Sequence, residues 1–198
     1  MASVSAADVK KLRELTGVGM MDCKKALVAV DSDLDAAVKY LREKGLSKAA
    51  KKADRATTEG LIYSYIHTNG RVGAMIELNC ETDFVALTDD YKALCKDLCM
   101  QIVATSPIAV NKEDIDEATI LAEADIAKNK AINDGKPEKI IEKIVEGILR
   151  KFRDENALME QAFVKDNDKK VSDIINERIM SLGENIKIAR FVRFSLGE

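Results

Sequence analysis

Apolar positions recur at helical spacing three times within the first 45 residues. Val9, Leu12 and Leu15 form the first stripe; Ser5 is placed to cap it, Asp8 follows as a capping-box carboxylate, and Gly17 ends it. "TGVGM" (Thr16 to Met20) reads as a tight, glycine-opened corner, and "MDCKKALVAV" from Met21 as a second helix. Asp33 caps a third, with Leu34, Ala37, Val38 and Leu41 on one face and Gly45 as its stop. Three short helices make a marginal core on their own, and such a unit suits an adapter or docking module. The Ala- and Lys-rich "LSKAAKKADRA" (Leu46 to Ala56) then predicts a solvated, partly helical linker.

The periodicity changes at Thr57. Two strand-like runs flank Asn69-Gly70, a strong hairpin signal, and Val72, Ala74, Ile76, Leu78 and Cys80 alternate on one face of the second run. Thr88 or Asp89 caps a helix whose apolar face is Tyr91, Leu94, Cys95, Leu98, Cys99, Ile102 and Val103, with Pro107 beyond its end. A long polar helix is predicted from Asn111 to Gly135. Pro137, at a first helical position, opens another, with a strong apolar face from Ile140 to Phe152; the short break favours a helical hairpin. "ALMEQAFV" reads as a short strand, "DNDKK" as a turn, and Val171 to Leu182 as a helix stopped by Gly183. Ile186, Ile188, Val192, Phe194 and Leu196 share one parity of a closing strand, with Arg190 the exception. The expected fold class is α+β: a three-helix N-terminal domain (residues 1–46), a linker (47–56) and a core (57–198) in which a small antiparallel sheet packs on helices.

Composition narrows the function by exclusion. The 198 residues are 46% hydrophobic, enough for one sizeable core. With 31 basic and 34 acidic residues the net charge is −3, which gives no bulk reason to bind nucleic acid or a membrane surface. No apolar stretch approaches the roughly 18 residues of a spanning helix. Met1 to Asp8 carries neither a basic n-region nor an apolar h-region, so a cytoplasmic protein is expected and Cys23, Cys80, Cys95 and Cys99 read as reduced, buried thiols. The one histidine, His67, sits at a hairpin end with nothing local to orient it as a base. No G-x-S-x-G elbow, no G-x-x-x-x-G-K-[ST] loop and no strand-borne G-x-G-x-x-G occurs. Glu77, Glu81 and Asp83 read as rim carboxylates; no metal or cofactor of its own is expected. A chain without nucleophile, base or phosphate cradle is expected to act by binding more than by catalysis.

Among binding modes the sharpest candidate is "NCETDFVALTDD" (Asn79 to Asp90), where Thr82, Asp83, Phe84 and Val85 set a carboxylate beside one of only 5 phenylalanines. Two readings stand. In one, Thr82 caps a short helical turn, Asp83 favours its N-terminus and Phe84 fills the protein's own core. In the other, the ring is presented to a partner.

"LRELTGVGMMDCKKAL" (Leu12 to Leu27), "NCETDFVA" (Asn79 to Ala86) and the tail "KPEKIIEKIVEGILRKF…FVKDNDKKV…LGENIKIARFVRF" resemble the bacterial elongation factor Ts family, in order and over essentially the whole chain. The resemblance implies a guanine-nucleotide exchange factor that acts by binding GDP-bound elongation factor Tu, and an N-terminal domain similar to ubiquitin-associated domains. It implies docking on the partner's GTPase domain through Arg13, Met20 and Met21, with Val18 and Gly19 shaping the corner. It also implies that Thr82, Asp83, Phe84 and Val85 disturb the partner's Mg²⁺ site. The chain is shorter than the longer members, which carry a second core subdomain and a coiled-coil hairpin. A homodimer through the core sheet is therefore expected, with Ile186 to Leu196 as the pairing strand; that strand has no cysteine for an intersubunit disulfide. The rival reading is a helical-domain adapter that binds a protein or peptide through Met20-Met21 without exchange activity; an enzyme using Cys80 or Cys95/Cys99 is a third.

Overall fold

The computed structural model describes residues 4–198, so the first three residues of the expected N-terminal domain lie outside the described residues. Three helices open the chain: α1 (Ala6–Thr16), α2 (Met20–Ala29) and α3 (Leu34–Lys52). Their ends follow the capping chemistry. The Ser5 hydroxyl accepts from the Asp8 N–H, the Asp33 carboxylate accepts from Ala36, and Gly17 closes α1 in the left-handed region at φ 66°. Val9, Leu12, Val18, Cys23, Ala26, Leu27, Ala37 and Leu41 form one buried cluster, against which Met180 also packs.

The expected stop at Gly45 does not occur. α3 runs through it to Lys52, taking in more than half of the segment expected as a linker. A Cβ on Gly45 would stand 3.1 Å from the Met180 sulfur, so close packing, with no left-handed turn, accounts for the glycine.

β1 (Glu59–Ile66) and β2 (Val72–Cys80) form the expected hairpin, closed by His67 N–H donating to the Val72 carbonyl across the Asn69-Gly70 turn. With β5 (Ile186–Ser195) they make a three-stranded sheet in the order β1-β2-β5. The short α4 (Asp83–Ala86) follows β2, and α5 (Asp89–Thr105) lies against the sheet: Tyr91 donates its hydroxyl to the Leu78 carbonyl at 2.7 Å, and the Cys99 thiol to that of Tyr63 at 3.6 Å. Thr88 is the cap of α5, its hydroxyl accepting from the Tyr91 N–H. This is the α+β architecture expected, a small antiparallel sheet packed on helices after a three-helix start.

Four local expectations are corrected. The polar helix begins later than Asn111. A 3-10 turn at Lys112–Asp114 comes first, boxed by Asn111 and Asp114, and α6 (Glu117–Asn133) starts only where the Asp116 carboxylate caps Thr119. Pro137 is the N-cap of α7 (Glu138–Asn156) instead of its first residue; α6 and α7 pack on each other as a hairpin. "ALMEQAFV" is mostly a 3-10 turn, Leu158–Glu160, with only Ala162–Phe163 as a strand, β3. "DNDKK" is its antiparallel partner β4 (Asp166–Lys170), pairing Ala162 with Lys170 and Phe163 with Asp166, so the turn falls at Val164-Lys165. Polar side chains hid this ribbon because both of its faces are largely solvated. α8 (Val171–Leu182) ends at Gly183 as expected.

The chain divides into two compact units. One comprises Met1–Leu61, Leu78–Tyr91 and Asp173–Lys187; the other comprises Ile62–Glu77, Lys92–Ser172 and Ile188–Glu198.

Candidate partner-binding site

All nine candidate residues fall within the first of these units. At the helical corner, α1 ends because Gly17 turns left-handed and donates its N–H to the Arg13 carbonyl. The Thr16 hydroxyl donates back to Leu12, and the Cys23 thiol donates to the Val18 carbonyl at 3.4 Å. Val18 is thereby drawn inward and is only 4% exposed. It presents almost no surface to solvent. Gly19 precedes α2 as its N-cap, and its carbonyl accepts from Asp22 and Cys23. Met20 and Met21, in the first turn of α2, are 41% and 65% exposed, and Arg13 is exposed on α1. Two flexible thioethers and a guanidinium left in water suit an adaptable protein contact.

At the end of β2 the chain makes the capped turn α4. The Thr82 hydroxyl accepts from the Val85 N–H, and Asp83 sits in the first turn, where a carboxylate is favoured. Val85 is half-buried and Ala86 is buried. Phe84, by contrast, is 78% exposed. Of the structural roles considered for this stretch, the cap is present, but the phenylalanine does not fill the protein's own core.

The turn is held from a distance in sequence. Glu184, in the connection between α8 and β5, accepts with Oε2 from the backbone N–H groups of Glu81 (3.1 Å) and Thr82 (2.9 Å). Its Oε1 accepts from the Thr82 hydroxyl at 2.6 Å. Glu81 reciprocates: its Oε1 accepts from the Asn185 N–H at 2.7 Å, and its carboxylate also takes the Arg55 guanidinium at 3.3 Å. The Asn185 N–H, more than the guanidinium, holds the Glu81 carboxyl below its ordinary range. The buried Asn185 side chain donates to the Ala53 and Arg55 carbonyls, and Lys52 donates to the Gly183 carbonyl. Sequence reasoning missed Glu184, Asn185 and Arg55 and read Glu81 only as a rim carboxylate. No local pattern marks them: Glu184 bonds Thr82 across 102 positions, Asn185 bonds Glu81 across 104, and Arg55 pairs with Glu81 across 26.

All four cysteines are buried. Burial pushes the thiols of Cys23 and Cys80 up, and that of Cys99 up to about 12, leaving them protonated and unreactive at neutral pH. Among the described residues, no group of three or more His, Cys, Asp or Glu could hold a metal ion, and no helix is long and apolar enough to cross a membrane.

The family model described as Elongation factor TS matches residues 2–198. The chain is 55% identical to elongation factor Ts of Heliobacterium modesticaldum over 195 residues, 98% of this chain and 91% of the relative. It is 53% identical to that of Moorella thermoacetica over 195 residues, 98% of this chain and 96% of the relative. With the protein of the same name from Oleidesulfovibrio alaskensis it shares 55% identity over 197 residues, spanning 100% of both. These relatives make the chain a translation elongation factor. The chain belongs to the elongation factor Ts family.

Proposed function

We propose that this chain is the guanine-nucleotide exchange factor for elongation factor Tu. It binds the GDP-bound partner, disturbs its Mg²⁺ site and promotes GDP release, acting by binding and breaking no bond. The observation that carries this reading is the exposure of Phe84, 78%, on a turn whose backbone is fixed on both sides. An exposed phenylalanine costs solubility and contributes little to the chain's own core, whereas a partner can bury it.

A GTPase holds GDP through backbone donors, a lysine and a Mg²⁺ that neutralises phosphate charge. Mg²⁺ demands near-ideal octahedral geometry, so a small displacement of its protein-side partners weakens it sharply. Phe84 wedges between elements of the partner and stabilises the displaced arrangement. Asp83, fixed beside it in the first turn of α4, keeps the wedge in register, with Thr82 and Val85 framing the turn. The metal loosens and GDP leaves. By linkage, factor and GDP weaken each other's binding by the same ratio, so an incoming nucleotide expels the factor in turn.

In this reading residues 1–46 are the docking module, reaching the partner's GTPase domain through Arg13, Met20 and Met21, with Val18 and Gly19 setting the corner. Residues 47–56 connect it to the exchange and dimerisation core, residues 57–198. The chain works in the cytoplasm and pairs with a second copy through the core sheet; β5, at one edge of the strand order, is available for that.

The test is release of a fluorescent GDP analogue from elongation factor Tu across a Mg²⁺ titration, with the wild type and Phe84→Ala. The expected result is strong acceleration by the wild type, lost in the variant and mimicked by removing Mg²⁺. No acceleration by the wild type would leave a docking adapter without exchange activity. Acceleration that survives Phe84→Ala would move the mechanism to the helical corner.

A further inference from the structure

Phe84 is 78% exposed, so packing within the free protein does little to hold its ring. Its position is set by the backbone that carries it. That backbone enters from Cys80, where β2 ends, and the neighbouring strand β5 begins at Ile186, so residues 81–82 and 184–185 lie outside both strands. Two carboxylates extend the connection instead. Glu184 takes the N–H groups of Glu81 and Thr82 together with the Thr82 hydroxyl, while Glu81 takes the N–H of Asn185. Residues 81–82 and 184–185 thus clasp each other reciprocally. Charge-assisted bonds of this kind are shorter and stiffer than neutral ones. The clasp is also moored to the end of α3: Asn185 donates to Ala53 and Arg55, Arg55 pairs with Glu81, and Lys52 bonds Gly183. α3 in turn shares one buried cluster with the helical corner that carries Met20 and Met21.

We propose that Glu184 is a positioning residue for nucleotide exchange: through its three bonds to Glu81 and Thr82 it aims the Phe84 turn, within the frame set by the docking helices. This rests on the exchange reading above. Glu184 touches neither nucleotide nor metal and acts through Phe84 alone. Binding to the partner then proceeds by the exposed helical corner whether or not the turn is aimed, but the bound complex releases GDP quickly only when it is. The predicted signature is a fall in the plateau rate with little change in the half-saturating concentration of factor.

The experiment is GDP release from elongation factor Tu as a function of factor concentration, for wild type, Phe84→Ala, Glu184→Ala, Glu184→Gln and the double variant Phe84→Ala/Glu184→Ala. Glu184→Ala is expected to lower the plateau about tenfold and to move half-saturation by less than about twofold. Glu184→Gln keeps an acceptor for the two backbone N–H groups but turns an amide towards the hydroxyl, so its plateau falls only about threefold. In the Phe84→Ala background the Glu184 change is expected to remove almost nothing more, because both act through one ring. A variant that is merely less folded would raise the half-saturating concentration and keep the plateau, which would overturn the proposal. So would wild-type plateaus in both Glu184 variants, or a full additional tenfold loss in the double variant. If Phe84→Ala slows release while the Glu184 variants do not, only the positioning role falls. If the wild type gives no acceleration, the exchange reading itself is overturned; if Phe84→Ala matches the wild type, the wedge and the positioning role fall together and exchange moves to the helical corner.

Discussion

At the scale of single residues, what the chain shows depends on what reaches solvent. Phe84 carries the sharpest consequence. A core phenylalanine truncated to alanine costs about 3–5 kcal/mol, whereas an exposed one costs roughly 0.5 kcal/mol or less. Since Phe84 is exposed, Phe84→Ala is expected to leave the urea midpoint of the free protein within error of wild type. A large fall would mean that the ring is buried in solution, and the wedge would be wrong. Glu81 gives a second test. Its carboxyl is depressed by the Asn185 N–H and by Arg55, so it contributes stability above its ordinary value of 4.5 and loses it as pH falls through the lower folded value. Urea midpoints taken between about pH 5 and pH 3 should therefore fall less steeply for Glu81→Gln than for wild type. An identical slope would show that the clasp at Glu81 does not persist in solution. One of the two readings of Thr82 to Val85 contained the Thr82 cap, which is local chemistry and is present, together with a buried Phe84, which is not. Sequence could not decide where Phe84 points, and it could not find Glu184, whose three bonds are to residues far away in the chain.

At the scale of elements, helices with strong caps were legible and those with competing signals were not. α1, α2 and α8 end at or close to the positions their glycines and polar caps indicate. Gly45 misled because a glycine admits both a left-handed stop and a close approach, and only packing against Met180 distinguishes them. β5 shows the same limit. Its apolar parity buries Ile186 and half-buries Ile188, yet leaves Val192, Phe194 and Leu196 exposed, since two successive exposed residues, Ala189 and Arg190, invert the alternation. Strand pairing offers the cleanest prediction. Gly60 lies in β1 at φ 148°, and a Cβ there would sit 2.1 Å from the Leu78 carbonyl oxygen. Gly60→Ala is thus expected to cost roughly 3 kcal/mol or more, from backbone strain and steric overlap together. Gly147, inside α7 with nothing within 4 Å of its would-be Cβ, is the control. There the same substitution should gain up to about 1 kcal/mol from helix propensity. Denaturant midpoints of the two variants should move in opposite directions; matching shifts would contradict the backbone described for β1.

At the scale of the whole molecule, the exposed apolar residues of the sheet call for a partner of their own. Ile62 and Phe194 are 68% and 71% exposed, and Ile66, Met75 and Val192 are exposed with them on the three strands, as is Leu196 just past the end of β5. Residues of these strands line two adjacent concave surfaces, one bounded by Ile66, Met75, Phe194 and Leu196 and the other by Ile62, Met75 and Val192. Scattered exposed hydrophobes need no explanation, but this many on one small sheet form a patch of the kind that marks an interaction site. Its chemistry is almost wholly apolar, with Arg190 answered by Glu77 at 2.7 Å in its midst, so an acidic or basic ligand would gain little there. A second copy of the same face would bury both patches at once, since a two-fold interface is self-complementary. The proposed homodimer therefore engages the exposed side of the sheet as well as its β5 edge. Sedimentation at micromolar concentration is expected to give a dimer for the wild type and a monomer for Ile62→Lys/Phe194→Lys, both side chains being solvent-exposed and so dispensable for folding. A wild-type monomer would remove the dimer from the proposed function, and a variant that stays dimeric would confine the contact to the β5 edge. The GDP-release plateau of the monomeric variant then separates the two roles of the chain. If the aimed Phe84 turn and the helical corner suffice, each monomer keeps the wild-type plateau; a plateau lost with the dimer would mean that one partner molecule is reached by both copies.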